Sequence, residues 1–458
     1  MTRWNHRAFF LIAILVFAAW TALSAAQEEP GHASGGHEDP VTPVLLALTV
    51  ILAGAKLGGE LFERLGQPSV LGELVVGVVL GNLVLIDPSL DFFGPLRSET
   101  ITVNWAIVVD SLARIGVILL LFEVGLESSV AEMRTVGLSS FLVAIVGIIA
   151  PFFLGYWASS IFITEIPRQV LAMNANFDIT NIHIFIGATL CATSVGITAR
   201  VLKDLGKLQI KEAKIVLGAA VIDDVMGLII LAVAAGIIVA AETGVAMHPL
   251  SIVSISAIAI GFLVGAIVVG LTVVPRIIKR LAVLRTRGVM LISALLFCFI
   301  FAYMANLAGL AAIVGAFAAG LILEEVHFKE FQEERHLHEL LAPVTTFLVP
   351  VFFVVMGIQV RLETFLNGSV LGLALALTVA AFIGKQVCGL AVVERGLDRL
   401  SVGLGMVPRG EVGLIFASIG KSLQVVDDAI FSAVVIMVIA TTLVTPPLLK
   451  FSLARGEH

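Results

Sequence analysis

The sequence is poor in charged residues. Asp, Glu, Lys and Arg make up 14% of its 458 residues, and hydrophobic residues make up 59%. A soluble domain carries about 25% charged residues. A soluble fold could not bury so much apolar surface, so the composition predicts a polytopic membrane protein. The net charge of -6 offers no basic surface to nucleic acid, and neither a nucleic-acid binder nor a cytosolic enzyme is expected.

Cysteine is also scarce. Cys191, Cys298 and Cys388 are the three cysteines, and each falls inside an apolar run. Neither a disulfide framework nor a metal cluster is therefore expected, and no motif calls for a cofactor.

The amino-terminal segment is typical of a secretory signal. Arg3 and Arg7 precede the apolar run 8–20, and small residues at 24–26 lead into a polar stretch. We expect a signal peptide over 1–26 and an external polar tether over 27–42. An uncleaved first span is the alternative.

About thirteen further apolar segments are long enough to cross a bilayer. They predict an all-α fold with a first six-helix repeat over 43–240, a linking helix over 250–275 and a second six-helix repeat over 288–450. The first span runs inward and the eighth outward, which makes the arrangement an inverted repeat of the kind that transporters use for alternating access. The segments lie at 43–61, 69–86, 104–126, 136–163, 183–202, 214–240, 250–275, 288–306, 309–325, 341–360, 369–392, 402–420 and 429–449.

Basic residues indicate the orientation. They cluster in loops such as 200–214 and 276–287, whereas the loops on the opposite side carry only Arg97, Arg168, Arg361 and Lys421. The positive-inside rule then places the N-terminus outside and the C-terminus in the cytoplasm, with a short tail over 451–458 and no nucleotide-binding domain after it. We expect a multi-pass protein of a bacterial inner membrane.

Asp223, Asp224 and Lys385 are the most informative charges inside the predicted spans. Asp223 and Asp224 are adjacent in the sixth span, and each carboxylate near a helix centre costs about 2.5–3.5 kcal/mol on insertion scales. They must face protein or a water-filled cavity, either as an ion site or as a helix–helix hydrogen-bond cluster. Lys385 lies at similar depth in the eleventh span, so that it either pairs with an aspartate or extends towards the cytoplasmic interface.

Two spans are interrupted by polar and helix-weakening residues. The fifth contains Thr193 and Ser194, and the twelfth contains Pro408, Arg409 and Glu411. Interrupted helices in matching positions of two repeats indicate a transporter binding site, because the break frees carbonyl groups for a cation. The hydroxyl groups would add oxygen ligands, while Arg409 and Glu411 would neutralise opposed helix ends. The alternative is that the glycines of these spans, such as Gly196 and Gly410, only allow close helix packing.

This chemistry favours cation/proton antiport. Two adjacent carboxylates in a low-dielectric site titrate together, and such a site holds either a proton or an alkali cation. Spare charge sites leave room for more protons than cations in each cycle, which would make the exchange electrogenic. Na⁺ is expected first, with K⁺ or Li⁺ as alternatives.

The chain resembles the cation/proton antiporter superfamily, in the branch with a sodium/proton exchanger membrane domain, over about residues 43–450. The resemblance rests on the order and spacing of several short motifs. These are Gly66-Gln67-Pro68 with Leu71-Gly72-Glu73, Leu119–Phe122 with Gly125-Leu126-Glu127, Ala192–Gly196, Asp223-Asp224, Gly315-Ala316-Phe317, Phe352-Phe353 with Gly357, Gly384-Lys385 and Pro408–Glu411.

The resemblance implies a dimerisation domain, a mobile core domain with two crossed broken helices, and a homodimer. By the same resemblance, Asp224 would bind the cation or the proton and Asp223 would pair with Lys385. The double-aspartate form of the motif belongs to electrogenic members. The glutathione-gated potassium-efflux relatives carry a C-terminal domain that has no counterpart here.

Other functions fit less well. A Na⁺- or H⁺-coupled symporter of an organic solute would need more polar and aromatic groups in its core than two tyrosines and this short polar set provide. An intramembrane aspartyl protease needs aspartates on different helices. A proton-translocating subunit of a larger membrane complex remains the third alternative.

Overall fold

The computed structural model describes residues 41–98, 101–127, 137–166, 171, 177–205, 207, 210–242, 249–281, 288–308, 310–323, 337–363 and 368–455. The regular elements in these ranges are helices, which agrees with the all-α prediction. The predicted signal peptide and most of the tether lie outside the described residues.

The helices are numbered here in chain order. The first eight are α1 (Thr42–Arg64), α2 (Ser69–Gly81), α3 (Gly94–Arg97), α4 (Asn104–Glu127), α5 (Leu138–Phe162), α6 (Ile179–Thr189), α7 (Val195–Asp204) and α8 (Lys211–Glu242). The others are α9 (Pro249–Thr272), α10 (Val274–Leu281), α11 (Val289–Leu307), α12 (Ala312–Ile322), α13 (Leu337–Ile358), α14 (Gly368–Cys388), α15 (Arg399–Gly405), α16 (Gly410–Ser422) and α17 (Asp428–Arg455).

Within the described residues, eight helices are long and apolar enough to cross a membrane by length and composition. They are α1, α4, α5, α8, α11, α13, α14 and α17, and shorter apolar helices accompany them. The chain is thus a multi-pass membrane protein.

The chain divides into two compact units. The first comprises Met1–Val117 and Pro343–Glu363, as far as these are described. Its helices approach closely at glycines: a Cβ added to Gly77 of α2 would lie 2.2 Å from the carbonyl oxygen of Val354 in α13. Small residues at such contacts let membrane helices pack backbone to backbone.

Polar side chains fasten one end of this first unit. The Nδ2 atom of Asn82 donates to the carbonyl oxygen of Val360 at 2.8 Å. The Arg97 guanidinium donates to the carboxylate of Glu363 at 3.0 Å and to the carbonyl oxygen of Gly81. Burial of Glu363 works against ionisation, but its backbone hydrogen bond and Arg97 prevail, so the pKa of Glu363 lies below its usual value.

The second unit comprises Ile118–Ala342 and Thr364–His458. Its centre is formed by α5, α8, α14 and α15, whose buried side chains make one apolar cluster that includes Val143, Ile215, Val216, Cys388 and Val402. Every residue named in the predicted ion site lies in the part of the chain that belongs to this unit.

Candidate ion site

Two membrane segments are interrupted where the sequence predicts it. In the fifth predicted span, α6 ends at Thr189 and α7 begins at Val195. In the twelfth, α15 ends at Gly405 and α16 begins at Gly410. Helix termini leave backbone N–H and C=O groups without partners inside the helix, so each break brings polar backbone into an apolar core.

The two breaks bind each other. The backbone N–H of Ser194 donates to the carbonyl oxygen of Pro408 at 2.8 Å. The hydroxyl group of Thr193 donates to the carbonyl oxygen of Met406 at 3.3 Å. Thr193 and Ser194 are each 1% exposed. The fold therefore joins the two interruptions into one polar centre, closed off from solvent by its apolar surroundings.

Gly410 makes the close approach of the breaks possible. Its φ angle is 31°, and a Cβ atom at this position would lie 2.5 Å from the Ser194 hydroxyl oxygen. An alanine would force the two breaks apart and would sit in a backbone conformation that L residues rarely adopt.

We expect Gly410→Ala to lower the free energy of unfolding by about 1–3 kcal/mol, the usual cost of overpacking a core. Thermal unfolding in detergent, followed by fluorescence, would measure this. Gly368→Ala is the matched control, because a Cβ at Gly368 meets nothing within 4 Å. Equal stability of the two variants would contradict the assigned role of Gly410.

Arg409 bridges the interruptions as well. Its side chain is completely buried, and Nη1 donates to the carbonyl oxygen of Ala192 in the opposite break. Its Nε and Nη2 atoms have no hydrogen-bond partner among the described residues. The Arg409 guanidinium therefore lies against a carbonyl group of the opposite break, and its role in charge compensation stays a prediction.

Asp223 and Lys385 form a buried ion pair. The Lys385 Nζ atom lies 3.2 Å from each carboxylate oxygen of Asp223, and both side chains are 0% exposed. The alternative in which Lys385 extends to the cytoplasmic interface is therefore wrong. Burying both ions costs several kcal/mol per ion after relaxation, and their mutual attraction offsets part of it.

The charge of this centre is unbalanced over its described side chains. Lys385 and Arg409 supply two cations and Asp223 supplies one carboxylate, and Asp223 is near enough to act electrostatically on Arg409. Two further predicted site residues, Asp224 in α8 and Glu411 in α16, have side chains that lie outside the described part of the structure.

Several residues that sequence analysis gave no role at the site are close neighbours of the pair. A Cβ added to Gly147 of α5 would lie 3.5 Å from the Lys385 Nζ atom, and one added to Gly384 would lie 2.7 Å from Cα of Pro151. Cys191 is buried beside this centre and donates to the carbonyl oxygen of Gly187 at 3.4 Å. Glycine and cysteine in apolar runs look like ordinary packing residues, and only the fold shows that they surround the ion pair.

Comparison with known proteins identifies relatives along nearly the whole chain. Residues 44–455 match the family described as sodium/hydrogen exchanger, transmembrane. The high-affinity Na⁺/H⁺ antiporter NhaS3 of Synechocystis sp. is 37% identical over 445 residues, covering 91% of each chain. The Na⁺/H⁺-K⁺ antiporter GerN of Bacillus cereus is 38% identical over 415 residues, covering 90% of this chain and 96% of its own.

A solved structure shares the fold. The sodium proton antiporter MjNhaP1 from Methanocaldococcus jannaschii superposes with a TM-score of 0.59, covering 92% of this chain and 98% of its own. The sequences are 16% identical, so this likeness concerns the arrangement of helices alone.

Proposed function

The chain belongs to the sodium/hydrogen exchanger family, a family of secondary transporters, and from that premise we propose that it exchanges a monovalent cation for H⁺ across the membrane. Na⁺ is the first candidate, because NhaS3 and GerN are both named as Na⁺/H⁺ antiporters. K⁺ is the second, since the name of GerN includes it, and Li⁺ is the third.

One observation carries the proposal. A fully buried ion pair, Asp223 with Lys385, lies in the same unit as two interrupted helices whose breaks are hydrogen-bonded to each other. Ionisable residues within membrane segments are costly and typically mark ion pathways, and broken helices supply the dipoles and carbonyl groups that hold an ion. A core that served only for packing would not require both a buried ion pair and two interrupted helices.

The exchange site is proposed at Asp224. Adjacent side chains on a helix point in different directions, so the two carboxylates can have separate tasks. Asp223 holds Lys385 in place, while Asp224 binds the cation and the proton in turn. The hydroxyl oxygens of Thr193 and Ser194, together with carbonyl groups of the breaks, would complete the oxygen ligands of the cation. Glu411, at the start of α16, would balance the charge of the opposed helix ends.

The transport cycle is proposed to be electrogenic. Exchange at Asp224 alone would trade one cation for one proton. The Asp223–Lys385 pair adds a second titratable group to the same centre, and interacting groups in a low-dielectric site titrate as a coupled set. A second proton for each cation is thus chemically available.

Alternating access by an inverted repeat is proposed as the means of transport. Each interrupted helix begins with an aspartate cap: Asp178 accepts from the Thr180 N–H at 2.8 Å, and Asp398 accepts from the Leu400 N–H at 3.0 Å. An aspartate N-cap at corresponding positions supports two related halves of the chain. The halves are proposed as six spans over 43–240 and six over 288–450, joined by a linking helix at 250–275.

The number and orientation of the spans are part of the same proposal. Thirteen spans after a signal peptide over 1–26 would put the N-terminus outside and the C-terminus in the cytoplasm of a bacterial plasma membrane. A homodimer is proposed as the assembly, since the dimerisation domain is part of what the resemblance implies.

Proton flux in proteoliposomes tests the function. With a pH gradient imposed and followed by a pH-sensitive dye, addition of Na⁺ is expected to dissipate the gradient, and Li⁺ and K⁺ are tested in the same way. Choline at the same concentration serves as the control. If none of the three alkali cations collapses the gradient in vesicles that contain folded protein, the exchange function is wrong.

The same vesicles separate the alternatives. A Na⁺- or H⁺-coupled symporter would leave the gradient intact until an organic solute is added. A proton-translocating subunit would show no cation-dependent flux as a purified protein, because it needs its partner subunits. Flux driven by an alkali cation alone distinguishes antiport from both.

A further inference from the structure

A pocket lies beside the end of α14, and neither member of the ion pair lines it. It has a volume of about 400 Å³ and is lined almost entirely by apolar atoms. Its walls come from the carboxyl-terminal part of α14, the short turn Gly389–Ala391 that follows it and the start of α15. They include Ile383, Gln386, Val387, Leu390, Arg399 and Leu400. All of these belong to the second unit.

The pocket opens where lipid would lie. Leu390 is 69% exposed, Ile383 51% and Leu400 45%. Apolar side chains so exposed on a membrane helix face acyl chains rather than water. The hollow they surround is therefore shaped to take hydrocarbon.

Arg399 supplies the positive charge at the pocket, and it is the one charged side chain among the lining residues. It is exposed, and its Nη2 atom donates to the carbonyl oxygen of Val392 at 3.1 Å. The carboxylates in the same turn are engaged with other groups. Glu394 accepts from Ser139, which holds the pKa of Glu394 below its usual value, and Asp398 caps α15. Neither carboxylate lines the pocket, so the charge at the hollow is that of the Arg399 guanidinium, which favours an anion.

The pocket is part of the packing between α14 and α15. A Cβ added to Gly389 would lie 2.2 Å from the carbonyl oxygen of Arg399, so the backbones touch at the pocket floor. The Gln386 amide donates to the carbonyl oxygen of Leu400 at 3.3 Å. These contacts hold the guanidinium beside the apolar hollow.

We propose that this pocket binds an anionic phospholipid, with one acyl chain against Ile383, Val387 and Leu390 and the phosphate group against Arg399. Guanidinium groups recognise phosphate through paired hydrogen bonds. Gln386 and Val387 directly follow Lys385, so the bound lipid braces the helix that carries the buried lysine. The lipid therefore stabilises the second unit.

Thermal stability in mixed micelles tests the proposal. Dioleoyl-phosphatidylglycerol should raise the unfolding temperature of the full chain more than the same mole fraction of dioleoyl-phosphatidylcholine, because a ligand that binds only the folded state stabilises it. Arg399→Gln should remove at least half of the difference between the two lipids, whereas Lys450→Gln, which removes another exposed cation, should keep it.

A second pair of variants covers the case in which Arg399→Gln fails to fold. Leu390→Trp places an indole ring in the pocket and should remove the preference for phosphatidylglycerol, while Leu375→Trp, at a 66% exposed position of the same helix, should retain it. Equal shifts by the two lipids in the unaltered chain would overturn the proposal, as would a full preference in Leu390→Trp. A shift of the same size from inorganic phosphate alone would show a free-anion site and would also overturn it.

Discussion

Asp224→Asn is expected to abolish cation-dependent proton flux while leaving the protein folded. Asparagine keeps the size of the side chain but neither releases a proton near neutral pH nor offers a cation a full negative charge. This single substitution at the proposed exchange site should therefore prevent binding of both the proton and the cation. The flux with Na⁺, measured in proteoliposomes under an imposed pH gradient, should fall to the level of protein-free vesicles.

Asp110→Asn is the matched control for this loss. Asp110 also lies in a membrane helix, but it pairs with Arg114 one turn away at 2.7 Å. It belongs to the first unit, whereas Asp224 belongs to the second. This variant should keep most of its cation-dependent flux. Full flux in Asp224→Asn would move the exchange site elsewhere, and equal losses in both variants would show that any intramembrane carboxylate matters in the same way.

The buried ion pair could largely be predicted from the sequence. In a chain with so few charges, each one inside an apolar span is conspicuous, and the distance along the helix from the span end gives its depth. Depth along the helices could match Lys385 with one of the two aspartates, because a helix advances about 1.5 Å per residue. The choice of Asp223 came from the resemblance to the antiporter superfamily. The sequence also predicted interruptions in the fifth and twelfth spans, because Thr193, Pro408 and the glycines of these spans have low helix propensity.

The contacts across the breaks could not be predicted from the sequence. That Arg409 donates to Ala192, or that Thr193 faces Met406, depends on how two segments more than 200 residues apart approach each other. Each backbone carbonyl looks the same in a sequence, so no pattern selects the acceptor. Arg399 similarly reads as one more positive-inside charge, and only the packing of α14 on α15 puts it beside an apolar pocket.

Lys385→Ala should produce the largest loss of stability. It leaves the Asp223 carboxylate buried without its cation, and removing one partner of a buried ion pair typically costs about 3–5 kcal/mol. The unfolding temperature in detergent should fall sharply. Arg64→Met is the matched control, because Arg64 pairs with Glu60 at 2.8 Å with side chains 46% and 50% exposed, where water can compensate for the loss.

A double substitution separates stability from transport. Asp223→Asn with Lys385→Met removes both charges, and replacing a buried pair by neutral groups of similar size is often neutral or stabilising. Most of the lost stability should return, yet the second titratable group is gone, so flux should no longer respond to a membrane potential clamped with valinomycin. A double variant as unstable as Lys385→Ala would refute the ion pair as the source of the loss. Unchanged voltage dependence would instead refute its part in electrogenic exchange and leave the exchange site at Asp224 untouched.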